Sequence, residues 1–233
     1  MKTNKLLSLL LLACVLLLSS CLDDDDTGTF FEYTFNFNNG QSGWIGGFAD
    51  YSVDREDDFE LDFSLAPLPE PLDTSRQALR ITGTNLSDDL FMYTKTKLTG
   101  LIPNATYQLT FDIEIAYDAP EDAPGIGGSP GGSNFLKVGA SAIEPMKVAN
   151  EGFYQLNLDK GNQAQGGEDA LVIGNIGHQN DEFVYQFIQR DNKDMPITAT
   201  TDATGGLWVF IGVDSGFEGT TTFYITEVSV RVE

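Results

Sequence analysis

Five acidic residues, Asp54, Glu56, Asp58, Glu60 and Asp62, stand at every second position of one short segment. On a strand, that spacing sends all their carboxylates to one face, opposite Phe59, Leu61 and Phe63. Paired carboxylates can cleave a glycosidic bond, because one attacks while the other protonates the leaving oxygen. A solvated edge strand presents the same array, and there the charge deters edge-to-edge pairing. The acidic edge is the expectation and catalysis the alternative.

Other motifs point to chemistry less directly. Gly127-Gly128-Ser129-Pro130-Gly131 matches the Gly-x-Ser-x-Gly string of a nucleophile elbow. That elbow needs a strand before it and a helix after it. Here a Pro- and Gly-rich stretch precedes, and Pro130 directly follows the serine. The sole histidine, His178, sits in a turn-like Ile176-Gly177-His178-Gln179-Asn180 and is expected to be an exposed loop residue. With one histidine, Cys14 in the leader and Cys21 at the leader's end, a zinc site has too few ligands. Hard oxygen donors are plentiful: Asp50, Asp54, Asp57 and Asp58; Asp88 and Asp89; Glu168 and Asp169; Asp181 and Glu182. They suit calcium, although none follows EF-hand spacing.

Flat aromatic rings can stack on sugar faces while amides and carboxylates bind hydroxyls. Trp44, Phe48 and Tyr51 are the candidate ligand-binding rings, because Gly43, Gly46 and Gly47 read as a loop that would expose them. The alternative is that Trp44 plugs one end of the core. Tyr93 and Tyr117 are lesser candidates, and Trp208, flanked by Val209, Phe210 and Ile211, reads as core.

The elements that must carry these residues are strands. Phe31, Tyr33, Phe35 and Phe37 alternate with polar residues, as do Phe59 to Leu65 and Tyr107 to Ile115. Further strands are expected near 77–83, 90–98, 134–140, 153–158, 170–174, 183–189, 206–213 and 221–232. Many short strands separated by Gly, Asn, Asp and Pro predict an all-β fold, a two-sheet antiparallel sandwich in a single domain over residues 30–233. Residues 118–133 form a long Pro- and Gly-rich loop, a length often tied to function.

Lys2 and Lys5 precede an apolar run from Leu6 to Leu18, then Ser19, Ser20 and Cys21. Residues 1–20 have the parts of a secretory signal, and the run is too short and too interrupted to span a bilayer. Residues 21–29, with Asp23 to Asp26, would be an acidic tether. The whole chain of 233 residues carries 35 acidic against 13 basic side chains, a net charge of −22. Such a surface repels nucleic acid, anionic lipid and anionic polysaccharide. Without a mature disulfide, the domain must be held by its core.

Leu18-Ser19-Ser20-Cys21 resembles the lipobox of bacterial lipoproteins, which implies lipidation of Cys21 and a membrane anchor through that lipid. Asp23 to Asp26 resembles the acidic signal that exports some of them to the cell surface, implying an outer-membrane, surface-exposed protein. Phe35-Asn36-Phe37-Asn38-Asn39-Gly40 with Gly43-Trp44, Leu98 to Tyr107, and Thr222 to Val230 resemble parts of the galactose-binding-like jelly roll found in many carbohydrate-binding modules. That resemblance implies a jelly-roll fold, a glycan ligand and a structural calcium, with Asn38, Asn39 and Glu227 as the metal candidates. Thr226-Glu227 departs from the family's Tyr-Ile-Asp-x-Val ending. The chain is also similar to a group of bacterial lipoproteins sharing the Gly-Gly-Ser-Pro-Gly loop. Glu56, Asp58 and Glu60 resemble the catalytic strand of laminarinase-like glycosidases, except that Asp57 replaces an apolar position. The expected function is non-catalytic binding of a neutral glycan at the cell surface. Adhesion to protein partners, or a glycosidase or lyase activity, are the alternatives.

Overall fold

Period-two alternation becomes strand almost everywhere it was read. A computed structural model describes residues 30–86 and 89–233, so Cys21, Asp23 to Asp26 and Asp88 lie outside the described residues. The strands are β1 (Phe31–Asn36), β2 (Ile45–Ala49), β3 (Tyr51–Ser52), β4 (Asp62–Pro67) and β5 (Gln77–Thr84). They continue with β6 (Leu90–Leu98), β7 (Thr106–Tyr117), β8 (Asn134–Ser141), β9 (Lys147–Asn150) and β10 (Phe153–Leu156). The last are β11 (Ala170–Asn175), β12 (Gln186–Asp191), β13 (Ile197–Thr200), β14 (Leu207–Ser215) and β15 (Thr220–Val232).

Two antiparallel sheets face each other. The larger has seven strands in the order β12-β7-β15-β5-β4, with β1 on β15 beyond β5 and β13 on β7 beyond β12. The second has five, in the order β11-β8-β14-β6-β2. The chain passes from sheet to sheet at β5–β6, β6–β7, β7–β8 and β14–β15, the crossing pattern of a jelly roll. Phe111, Ile113, Ile115, Val228 and Val230 of one sheet meet Leu136, Val138, Val209, Ile211 and Val213 of the other, all fully buried. Each such side chain contributes about 1.5–3 kcal/mol of burial, and that core replaces a disulfide.

The outer face of the five-stranded sheet is also covered. Leu156 and Leu158, from the excursion that carries β9 and β10, pack with Ala170 on Phe91, Tyr93 and Phe210. By contrast, the polar outer face of the seven-stranded sheet stays open over β1, β7, β12 and the second half of β15.

Three expectations are corrected. Residues Val53–Phe59 form a 3-10 helix, not a strand, so Asp54, Glu56 and Asp58 do not line one sheet face. The segment links β3 back to β4, and Phe59 turns inward onto the Tyr51 ring at 5.2 Å. Trp208 is half-buried on the outer face of β14, because Val209, Ile211 and Val213 take the inward positions. Its ring lies under the ammonium groups of Lys95 and Lys97, at 5.5 and 5.9 Å. His178 is buried, and its backbone carbonyl accepts the Glu121 N–H at 2.9 Å where the long loop folds back.

Candidate functional site

Register turns the outward positions of four neighbouring strands into ordered rows. Gln189, Glu114, Glu227 and Asn36 stand abreast on β12, β7, β15 and β1. The next row is Asp191, Asp112, Ser229 and Thr34, and beyond it lie Thr110, Arg231 and Glu32. Alternation dictates this, since Ile113, Phe111, Val228 and Val230 point into the core and their neighbours must point out. Most of these outward side chains, with Lys193 and Glu233, line an open groove of about 670 Å³.

Glu114 is fixed at its centre. Its carboxylate accepts hydrogen bonds from the Thr226 hydroxyl (2.7 Å), the Gln189 amide (3.0 Å) and the Arg76 guanidinium (3.2 Å). Thr226 reaches it because it is the extra residue of a β-bulge between Ile225 and Glu227. The bulge accounts for the departure seen in the closing strand, where the inserted threonine is buried and spent on Glu114. Along one side, Lys193 binds Asp112, and that hydrogen bond foremost raises the ammonium above its ordinary pKa.

Two exposed rings lie on or beside the same strands, just outside the groove lining. Phe187, next to Ala116 on β12, has the Arg76 guanidinium 4.9 Å from its centroid. Phe30, just before β1, has Arg231 at 4.2 Å. From the level of Glu114 to that of Gln108 the floor runs about 20 Å along the strands and roughly 14 Å across them. Each ring is held by a cation on one face, and both are substantially exposed, Phe187 at 39% and Phe30 at 48%.

The expected ligand-binding trio lies elsewhere. Trp44 is only 1% exposed, edge-on to Phe35 at 5.3 Å and Phe37 at 6.3 Å. Tyr51 is fully buried, and Phe48 packs against the same core. Their glycines are there for close approach, not for a loop: a Cβ on Gly46 would stand 2.2 Å from Phe63, and one on Gly47 2.3 Å from Tyr93. Burial first of all pushes the Tyr51 hydroxyl up to about 12, although Lys147 and Glu56 both bind it. Tyr93 and Tyr117 are buried as well.

The metal candidates come close together without forming a ligand set. Asn36 donates its amide N–H to Glu227 at 2.9 Å and accepts the Asn38 N–H at 3.1 Å. The Asn38 side-chain oxygen accepts the Gln77 N–H at 3.0 Å, and Asn39 is an exposed turn residue. An N–H aimed at Glu227 has the wrong polarity for a cation position. Ser129 has no nucleophile geometry either: its hydroxyl donates to the Glu121 carbonyl at 2.6 Å and accepts from Gly131 and Gly132. These bonds close the long loop on itself, and Tyr117 and Asn134 fasten it through the Pro130 carbonyl.

No family model matches the chain, and no curated protein matches it. Among solved structures, it is similar to a carbohydrate-binding module of the β-sandwich superfamily at 14% identity and a TM-score of 0.37, over 82% of this chain and 58% of that one. The chain thus spans little more than half the length of that neighbour. A module of specific mannan recognition shares 11% identity, covering 88% and 99% of the two chains with a TM-score of 0.40. The K1 cleaved adhesin domain of Lys-gingipain from Porphyromonas gingivalis shares 14%, over 87% and 98%, with a TM-score of 0.36.

Sequence reading recognised the outward residues of β7 as a polar face but not as a binding floor. What it lacked was register, which alone sets Gln189, Glu114 and Glu227 side by side.

Proposed function

We propose that the open face of the seven-stranded sheet binds a neutral glycan chain without catalysis, on a domain tethered to the cell surface through lipidated Cys21. One observation carries the binding reading: a groove whose floor is carboxylates, an amide and hydroxyls, with two exposed rings stacked on arginines beside it. A hydroxyl-rich chain can exchange its water for these donors and acceptors and stack a sugar on Phe187 or Phe30. Protein interfaces centre on an apolar, charge-depleted patch, which this floor lacks. Its acids, Glu32, Asp112, Glu114, Glu227 and Glu233, outnumber Lys193 and Arg231, so an anionic chain is repelled.

The test is a glycan array followed by titration of Phe187→Ala and Gln189→Ala. Both stand on the solvent side of an edge strand, so their melting temperatures stay close to that of the wild type. Loss of one stacking or hydrogen-bonding partner weakens binding about tenfold, the equivalent of ~1.4 kcal/mol. Unchanged affinity in both variants refutes the site. The anchor is tested separately: protease added to intact cells strips the domain, whereas full protection contradicts surface exposure.

A further inference from the structure

On the side of the sandwich opposite the groove, the described residues hold a second polar site that the glycan reading does not use. Asp214, on the outer face of β14, is fully buried, and so is Lys137 on neighbouring β8. Lys137 and Lys160 each place an ammonium 2.7 Å from Asp214 Oδ2, and the Gln163 N–H donates to the same atom at 2.9 Å. Lys160 also reaches Asp50 Oδ2 at 2.8 Å. The cations therefore gather on one side of Asp214. Its other oxygen, Oδ1, is buried and accepts no hydrogen bond, and the same is true of Asp89 Oδ1.

Asp50, Asp89 and Asp214 each bring one carboxylate oxygen within 4.8 Å of the others. They come from three places: the residue after β2, the residue before β6, and β14 itself. Asp50 takes a left-handed backbone conformation there, at φ 63°, which aspartate tolerates better than most side chains. Three carboxylates against two ammonium groups leave one negative charge in excess in a buried place.

We infer that Asp50, Asp89 and Asp214 are the carboxylate ligands of a hard-cation site of calcium type. With bonds of 2.3–2.6 Å, the ligand oxygens of a calcium ion lie no more than roughly 5.2 Å apart, and the three carboxylate oxygens meet that limit. Asp50 and Asp89 open onto a cavity of about 190 Å³, lined also by Gln155, Asn162 and Lys160, where water would complete the shell. Lys137 and Lys160 engage Asp214 only through Oδ2, which leaves Oδ1 for the ion. The ion would tie β2, β6 and β14 to the excursion that covers them, independently of whether the groove binds glycan.

The experiment is a melting scan of chelator-treated full-length protein with and without calcium chloride. At a hundredfold excess over its dissociation constant, calcium raises the wild-type midpoint by roughly 5–10 °C. Asp89→Asn, whose amide can donate to Asp214 Oδ1, melts no lower than the chelated wild type and shows no calcium response. Glu227→Gln, in the groove, keeps the full response. No shift in the wild type at millimolar calcium overturns the inference, and means that a proton between Asp89 and Asp214 satisfies the site. An undiminished shift in Asp89→Asn, or its loss in Glu227→Gln, overturns it by placing the ion elsewhere.

Discussion

Replacing Trp44 by alanine separates packing from recognition at the residue whose type most suggests a sugar platform. The ring is 1% exposed and meets Phe35 and Phe37 edge-on, at interplanar angles of 90° and 85°. Truncating a buried tryptophan costs about 3–5 kcal/mol, from lost transfer energy and the cavity left behind. For a domain of this size, each kcal/mol moves the melting temperature by roughly 2–4 °C, so a drop of about 6–20 °C is expected. Trp44→Phe is the informative partner. The indole Nε1 is buried without a hydrogen-bond acceptor, an arrangement that itself costs about 1–3 kcal/mol. Phenylalanine removes that donor along with part of the ring, so the loss should stay under about 2 kcal/mol. Differential scanning fluorimetry and a glycan titration on both variants decide the matter. Trp44→Phe should bind as the wild type does. A Trp44→Ala protein that melts like the wild type and has lost glycan binding would refute the packing argument.

Two further outcomes follow from buried and half-buried charges. Lys137 donates to the carbonyls of Lys160 and Gln165 as well as pairing with Asp214, so Lys137→Met leaves a buried carboxylate with one cation fewer. A loss of about 3–5 kcal/mol in urea denaturation is expected, and a neutral result would contradict it. Glu56 is held below the ordinary carboxylate pKa by the Lys147 hydrogen bond first and the Tyr51 hydroxyl second. Its stabilisation is therefore complete above the unfolded value of 4.5 and is lost as pH falls through the lowered folded value. Glu56→Gln should flatten that acid limb of the stability curve, and an unchanged limb would show that the contact contributes nothing.

The fold was legible because the core imposes period two on β1, β7 and β15, whose apolar residues all face the same interior. β2 was not, since Gly46 and Gly47 resemble loop residues until Phe63 and Tyr93 are seen lying over them. The acidic segment misled for a related reason. Alternation also fits a 3-10 helix whose only buried residue is Phe59, and no local signal separates the two. Trp208 shows the limit of reading hydrophobicity alone: Phe210 on the same face is covered by the excursion, while Trp208 lies at its margin under two lysines. The groove itself needs long-range pairing. Glu114 and Glu227 are neighbours only through the β7–β15 register, and a slip by one residue would bury them.

The central claim is that the rows of Gln189–Glu114–Glu227 and Asp112–Ser229 are the floor of a glycan site. Its most direct test is amide chemical-shift mapping of the domain with a neutral hexose oligosaccharide chosen from the array. Perturbations confined to β1, β7, β12 and the second half of β15, and absent around Trp44, are the predicted result. Saturable binding that instead perturbs the five-stranded sheet, or no binding to any neutral oligosaccharide, would contradict it.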